Sequence, residues 1–300
     1  MSTSNSRSRI RSSSGDRSLN VIFYILTAIF AFCCIFPFLL IISSSFTDEQ
    51  TLNMNGYSLF PAKWSTAAYR LIFSTDTILK AYKVTIFMTV VGTVLSMLLT
   101  CATAYTLSVK SFRSRNHIAM FMYFTMLFSG GLVPSYLLIS KYLNLKNTVW
   151  VLIIPGLVSA WNTLLMRNFF NDIPESIAES AKLDGAGDLR ILFSIILPIA
   201  TPAIATISLF YALGYWNEWY RALLYIDQED LYPLQYLIMT IMRNADFAST
   251  QGAEAGITMQ LPTYTVRMAT IVVTIGPIIF LYPFLQKYFV AGLTIGGVKG

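Results

Sequence analysis

The chain has 300 residues, of which 55% are hydrophobic and only 12% are charged, and its formal net charge is +6. A soluble domain of this size carries about a quarter charged residues, so the composition excludes a soluble globular protein and indicates an all-α membrane protein. The basic balance requires no nucleic-acid partner, because lysine and arginine at one face of a lipid bilayer account for it.

The first apolar run predicts an uncleaved transmembrane helix. Residues 1–18 are rich in serine and arginine, and we expect a disordered cytoplasmic N-terminus there. The run over 19–42 is long enough to cross a hydrocarbon layer of about 30 Å at about 1.5 Å per residue. A cleaved signal peptide is the competing interpretation. Its apolar core would be only about 7 to 15 residues long, with a small-residue cleavage site that this run lacks.

Five further apolar runs predict a polytopic membrane protein with six transmembrane helices. The predicted spans lie near residues 19–42, 84–109, 118–139, 148–169, 199–224 and 268–288. Gly130, Gly131 and Pro134 predict a break or kink at the end of the third span, and the fourth contains Pro155 and Gly156. Together these spans predict one transmembrane domain.

The basic residues between the spans predict their orientation. Twelve of the 21 lysine and arginine residues fall on the side that holds both termini and the segment over 174–198. The arginine cluster ahead of the first span is the strongest single indication. We therefore expect a multi-pass domain over 19–290 with both termini in the cytoplasm, including a tail over 291–300.

The sequence contains no recognisable catalytic or metal-binding pattern. It has no G-x-x-x-x-G-K-[ST] phosphate loop, no H-E-x-x-H and no G-x-S-x-G. His117 is the only histidine, and Cys33, Cys34 and Cys101 all lie in apolar runs. We expect no catalytic residue, no metal site and no cofactor bound by this chain.

The segment from Pro174 to Pro198 is charged and amphipathic, although apolar runs flank it. Its first proline suits the start of a helix, and Asp184-Gly185 predicts a break because glycine permits positive φ. Glu179 and Lys182 are spaced to pair at i, i+3. A helix resting on lipid headgroups is the alternative, but its polar face would be richer in lysine and arginine. The acidic face favours a protein partner, and we expect a pair of short helices in the cytoplasm.

These residues resemble the coupling motif of bacterial ABC importer permeases. That family's pattern is Glu-Ala-Ala, three residues, Gly, nine residues and then Ile-x-Leu-Pro. The chain has Glu179-Ser180-Ala181, Gly185 and Ile195-Ile196-Leu197-Pro198 at the same spacing, and Ser180 is the one departure. Asp184-Gly185-Ala186 also fits the common form.

The resemblance extends over nearly the whole chain after residue 18, to the maltose-type carbohydrate branch and its oligosaccharide-importing subgroup, whose substrates are often derived from pectin or alginate. The stretches that carry it are FSGGLVPSYLLI from Phe128, IPGLVSAWN from Ile154, MRNFFNDIP from Met166, GYWNEWYRALLYI from Gly214, YPLQ from Tyr232 and the terminal GGVKG.

The resemblance implies a permease of the bacterial inner (cytoplasmic) membrane that takes up a sugar. It implies three kinds of partner beside the lipid bilayer and the sugar: a second, homologous permease in a heterodimer, two ABC ATPase subunits that use ATP-Mg, and an extracytoplasmic solute-binding protein. It further implies an ATPase-coupling site made of Glu179, Ser180, Ala181, Asp184, Gly185, Ala186, Leu197 and Pro198.

Polar and aromatic residues around the fifth predicted span are candidate sugar contacts. Aromatic faces pack on sugar rings, and amides and carboxylates bind hydroxyl groups. The candidates are Asn162 in the fourth predicted span and Tyr211, Tyr215, Trp216, Asn217, Glu218 and Trp219. A structural role is the alternative, because tryptophan and tyrosine also populate the membrane interface and Arg221 is placed to pair with Glu218. Two other functions stay open: an ABC permease for a non-sugar solute, and a channel or secondary transporter acting alone.

Overall fold

The computed structural model describes residues 14–74, 76–254 and 264–275. Within these ranges the chain forms helices and no β-strand, which confirms the all-α expectation. The helices are α1 (Ser14–Ser45), α2 (Glu49–Asn55), α3 (Ala67–Ile72), α4 (Thr77–Ser108), α5 (Arg115–Leu127), α6 (Leu132–Leu137), α7 (Trp150–Ile153), α8 (Ala160–Asn171), α9 (Glu175–Leu183), α10 (Asp188–Ile191), α11 (Leu197–Ile199), α12 (Thr201–Trp216), α13 (Tyr220–Tyr225), α14 (Leu234–Glu254) and α15 (Tyr264–Ile275). Short π-helical turns over Leu138–Tyr142 and Leu192–Ile196 extend α6 and α10, and 3₁₀ turns lie over Ile154–Gly156 and Glu229–Leu231.

Two helices in the described ranges are long and apolar enough to cross a membrane alone. They are Leu19–Ser45 within α1, and α4. Three bent helix pairs reach that length together: α5 with α6 at 110°, α7 with α8 at 49°, and α10–α11 with α12 at 88°. Counting each pair as one span gives up to five. The part of the sixth predicted span beyond residue 275 lies outside the described residues, as do most of the N-terminal segment and the whole C-terminal tail.

The bends lie where glycine and proline interrupt the apolar runs. Gly131, between α5 and α6, has a φ of +88°, a conformation that carries no steric penalty for glycine. The predicted break in the third span is therefore confirmed. The fifth predicted span is not one continuous helix, because α12 ends at Trp216 and α13 starts at Tyr220.

The described residues fall into two compact units. The first contains the residues up to 71 together with 264–272, and Glu49 holds it together by capping α15. The Glu49 carboxylate accepts hydrogen bonds from the Tyr264 N–H at 3.0 Å and the Thr265 N–H at 2.9 Å. Phe46 stacks on Tyr69 with ring centroids 4.8 Å apart.

The second unit is built around α4, which contacts α5, α8, α12 and α14. Small side chains along α4 allow close helix packing. At Gly92, an added Cβ would lie 2.6 Å from Cζ of Tyr215, so the tyrosine ring occupies the space that any side chain would need. One apolar cluster of this unit includes Met166, Ile191 and Ile207, all fully buried. It joins α4, α8 and α12 to the segment over 174–198.

Candidate functional site

The segment over 174–198 folds into a helix–turn–helix that we name the α9–α10 elbow. Gly185 follows α9 with a φ of +81°, and its N–H donates to the Lys182 carbonyl at 3.0 Å. The Ala186 N–H donates to the Ala181 carbonyl at 2.9 Å. These two bonds form a Schellman turn, which satisfies the last carbonyls of a helix and needs glycine at its left-handed position. The predicted break at Asp184-Gly185 is confirmed.

The inner face of the elbow is anchored in the apolar cluster of the second unit. Ala181 is buried there, and Ala186 packs against the same cluster. Such a contact between the residues on either side of a Schellman turn is typical. Ile191 is fully buried and Ile196 nearly so. The small residues Ala181 and Ala186 of the sequence motif therefore have a structural role, because they let the turn pack closely against the apolar cluster.

Two ion pairs hold the elbow, and one of them corrects the sequence analysis. Lys182 Nζ lies 3.0 Å from Asp188 Oδ1 across the turn, so the predicted pairing of Lys182 with Glu179 was wrong. The turn brings the start of α10 to the end of α9, which gives Lys182 a carboxylate on the next helix. The hydrogen bond to Asp188 and its charge raise the pKa of the Lys182 ammonium above the ordinary value. Lys110 pairs with Glu175 at 2.5 Å.

The outer face of the elbow is exposed and combines acidic with apolar side chains. Of the eight predicted coupling residues, five are exposed: Glu179, Ser180, Asp184, Gly185 and Pro198. Ala186 and Leu197 are half-buried and Ala181 is buried. Leu183 and Leu189, which are 90% and 73% exposed, were not predicted as partner contacts. Their exposure could have been predicted, because they lie on either side of the glycine at which the chain turns.

A cavity of about 430 Å³ lies beside α9, between it and the end of α4. Its lining includes Tyr105, Lys110, Glu175, Glu179 and Lys182. Charged groups therefore line one side of the elbow. Lys110, Glu175 and Lys182 belong to the ion pairs described above, and Glu179 does not.

The predicted sugar contacts separate into buried and exposed residues. Tyr211 and Tyr215 are buried against α4. The Tyr215 hydroxyl donates to the Ile153 carbonyl at 3.2 Å and lies 3.0 Å from Ser96 Oγ. The Tyr211 hydroxyl lies 2.7 Å from Thr100 Oγ1 and accepts from a backbone N–H at 3.3 Å. Both tyrosines thus have partners within this chain, and the structure gives them a packing role.

The remaining candidates lie around the break between α12 and α13, except Asn162, which is buried in the first turn of α8. Trp216 is buried, whereas Asn217 and Trp219 are exposed. Glu218 Oε2 lies 2.6 Å from Arg221 Nη1, which confirms the pairing considered from the sequence.

A further polar residue meets this break from α14. The Gln235 side-chain amide donates to Asn217 Oδ1 at 3.3 Å, and the Asn217 amide donates to the Leu213 carbonyl at 2.9 Å. No helix was predicted from the sequence at the position of α14. The structure joins Gln235 and Asn217 across 18 residues of sequence.

Comparison with known proteins places this architecture in a family. A family profile described as the binding-protein-dependent transport system inner membrane component matches residues 92–295. The polygalacturonan/rhamnogalacturonan transport system permease protein YtcP of Bacillus subtilis (strain 168) is 41% identical over 285 residues, covering 95% of this chain and 99% of the relative. The arabinooligosaccharides transport system permease protein AraQ of Halalkalibacterium halodurans is 28% identical, covering 91% and 94%.

A solved structure gives the same result for the fold. The crystal structure of a bacterial ABC transporter involved in the import of the acidic polysaccharide alginate matches with a TM-score of 0.81 and 32% identity, covering 93% of this chain and 99% of the other. The matched proteins are transport permease components and not catalytic enzymes. This chain therefore belongs to the family of binding-protein-dependent transport system inner membrane components and has the fold of an ABC importer permease.

Proposed function

We propose that this chain is the permease subunit of a binding-protein-dependent ABC importer for oligosaccharides, and that an ATPase subunit docks on the α9–α10 elbow. The observation that carries the proposal is the two-sided construction of the elbow. One face is buried with Ala181 and Ile191, and the other presents Glu179, Leu183 and Leu189 to the outside. These leucines are 90% and 73% exposed, so burying them under a partner protein would contribute favourable free energy to binding.

The elbow suits the transmission of a movement. The Schellman turn and the Lys182–Asp188 ion pair fix α9 relative to α10. The π-helical turn over Leu192–Ile196 and α11 then connect α10 to α12. A partner that pushes on the outer face moves the pair as a rigid lever, and the 88° bend before α12 is where the lever meets the next helix.

The assembly contains this chain, a second homologous permease, two ABC ATPase subunits and an extracytoplasmic solute-binding protein. Both termini and the elbow lie in the cytoplasm, because the basic residues are more numerous on that side. ATP-Mg binds to the ATPase subunits, since this chain carries no phosphate-binding loop of its own. Closure of the ATPase dimer opens the pathway outward, the solute-binding protein releases its sugar, and hydrolysis restores the inward-facing state.

The transported solute is an oligosaccharide. Support comes from the substrates in the names of the matched proteins, which are polygalacturonan, rhamnogalacturonan, arabino-oligosaccharides and alginate. Exposed Asn217 and Trp219 supply an amide and an aromatic face at one site, which is the combination that sugar hydroxyls and rings bind. Of the predicted sugar contacts, these two are the ones we propose to touch the substrate.

The proposal is tested with Glu179→Lys in proteoliposomes that contain the complete importer. We expect ATP-driven oligosaccharide uptake to fall by roughly 100-fold, because the charge reversal disrupts a charged contact in the docking interface. Membrane insertion should not change, since Glu179 is exposed. Glu229→Lys is the matched control, because Glu229 is also an exposed carboxylate. The control should co-purify with the ATPase as the wild type does. Normal uptake by Glu179→Lys would contradict the docking assignment.

A further inference from the structure

We infer that Arg243 and the Asn217–Gln235 amide pair form a binding surface for an acidic oligosaccharide, in which Arg243 holds a sugar carboxylate. The inference rests on the proposed function and names the chemical class of its substrate. It depends on α14, which brings these groups onto one exposed face.

α14 has one packed side and one open side. Leu234, Tyr236, Leu237 and Ile238 are buried, and the Leu234 N–H donates to Thr85 Oγ1 on α4 at 2.8 Å. The open side carries Gln235, Met239 and Arg243, which follow one another every four residues and so share a face of the helix. Eight residues of helix place Gln235 and Arg243 about 12 Å apart along the axis. An extended ligand can reach both.

Three other basic residues of the second unit, all outside the segments expected in the cytoplasm, have carboxylate partners. Lys80 pairs with Asp230 at 2.8 Å, Lys146 with Asp227 at 2.9 Å and Arg221 with Glu218 at 2.6 Å. Arg243 is exposed, and no carboxylate of the described residues pairs with it. A guanidinium group binds carboxylates through two parallel hydrogen bonds, which lysine cannot reproduce. Arg221 and Arg243 are the two arginines over residues 201–254, and Arg243 is the one without a carboxylate partner among the described residues. It is therefore available for an acidic ligand.

The other end of the surface is neutral and suits hydroxyl groups. Gln235 uses one amide hydrogen on Asn217, and within the described residues its carbonyl oxygen has no donor. Trp219 is 40% exposed two residues beyond Asn217. An arginine at one end and amides with an indole at the other match a chain of sugar acids, which carries both carboxylates and hydroxyls. An acidic surface of the solute-binding protein would satisfy Arg243 but would give the amide pair no role.

The test compares uptake of trigalacturonate with uptake of its fully methyl-esterified form, which has the same rings and no charge. The complete importer is reconstituted in proteoliposomes with internal ATP. For Arg243→Gln we expect the KM for trigalacturonate to rise about tenfold, because hydrogen bonds to a charged group are lost. The KM for the ester should change less than twofold. The KM of Arg243→Lys for trigalacturonate should lie between those of the wild type and Arg243→Gln, because lysine keeps the charge and loses the bidentate geometry.

Lys83→Gln is the matched control, since Lys83 is also an exposed cation of the second unit, and it should leave both KM values unchanged. An equal rise for acid and ester in Arg243→Gln would assign Arg243 to docking of the solute-binding protein and overturn the inference. Wild-type uptake of arabinotriose but not of trigalacturonate would also overturn it, while the proposed function would stand. Uptake of none of the three sugars would contradict the proposed function itself.

Discussion

The α9–α10 elbow and the interface between α4 and α12 both depend on small residues, but only the interface buries its neighbouring side chains within this chain. In the interface, Gly92 lets the ring of Tyr215 lie against α4, and the tyrosine hydroxyl finds its partners inside the chain. In the elbow, Gly185 turns the chain, and nothing lies within 4 Å of the position its Cβ would take. In the first region, the side chains find their packing and hydrogen-bond partners within this chain. The second leaves Leu183 and Leu189 without cover, as a surface for another protein would.

The same polar substitution should have opposite consequences in the two regions. Ile207→Ser in the interface should lower the free energy of unfolding by about 2–5 kcal/mol, because Ile207 is fully buried. Leu189→Ser in the elbow should lower it by less than about 0.5 kcal/mol, because Leu189 is already 73% exposed.

Binding should show the reverse pattern for Leu189→Ser. We expect the Kd for the ATPase subunit to rise about tenfold if Leu189 is an apolar anchor of the interface. Thermal unfolding in detergent and titration with the ATPase measure the two quantities separately. A Leu189→Ser variant that unfolds as early as Ile207→Ser would show that the elbow is part of the internal frame.

Alanine substitution of the two glycines should have smaller effects, and each should act through a different mechanism. Gly92→Ala places a methyl group 2.6 Å from Cζ of Tyr215, and we expect a loss of about 1–3 kcal/mol from overpacking. Gly185→Ala meets no neighbour and costs about 1–2 kcal/mol through its positive φ alone.

Combining each glycine variant with Tyr215→Phe separates the two mechanisms. Removing the hydroxyl frees the ring to move, so it should relieve part of the penalty of Gly92→Ala and none of that of Gly185→Ala. Thermal unfolding of Tyr215→Phe, the two glycine variants and the two double variants measures this. Equal relief in both would contradict the assignment of Gly92 to close packing.

Local features could be predicted from the sequence, and long-range ones could not. The turn at Gly185 and the break at Gly131 depend on a few neighbouring residues, and both were predicted. The pairing of Lys182 was wrong because Asp188 reaches it only after the turn has formed. The contacts of Tyr211 with Thr100 and of Tyr215 with Ser96 were not predicted, because the partners are 111 and 119 residues apart in sequence. α14 was missed because its sequence is amphipathic, so it does not stand out among the uniformly apolar runs that indicate membrane spans.

Photo-crosslinking from the elbow in the assembled importer shows directly which subunit covers α9 and α10. A photoreactive amino acid replaces Leu183, which is 90% exposed, or Phe60, which is 84% exposed and serves as the control. We expect a crosslink between position 183 and the ATPase subunit whose yield changes when ATP is added, and no crosslink from position 60. No crosslink from position 183, or equal crosslinking from both positions, would contradict the claim that the α9–α10 elbow is the docking site.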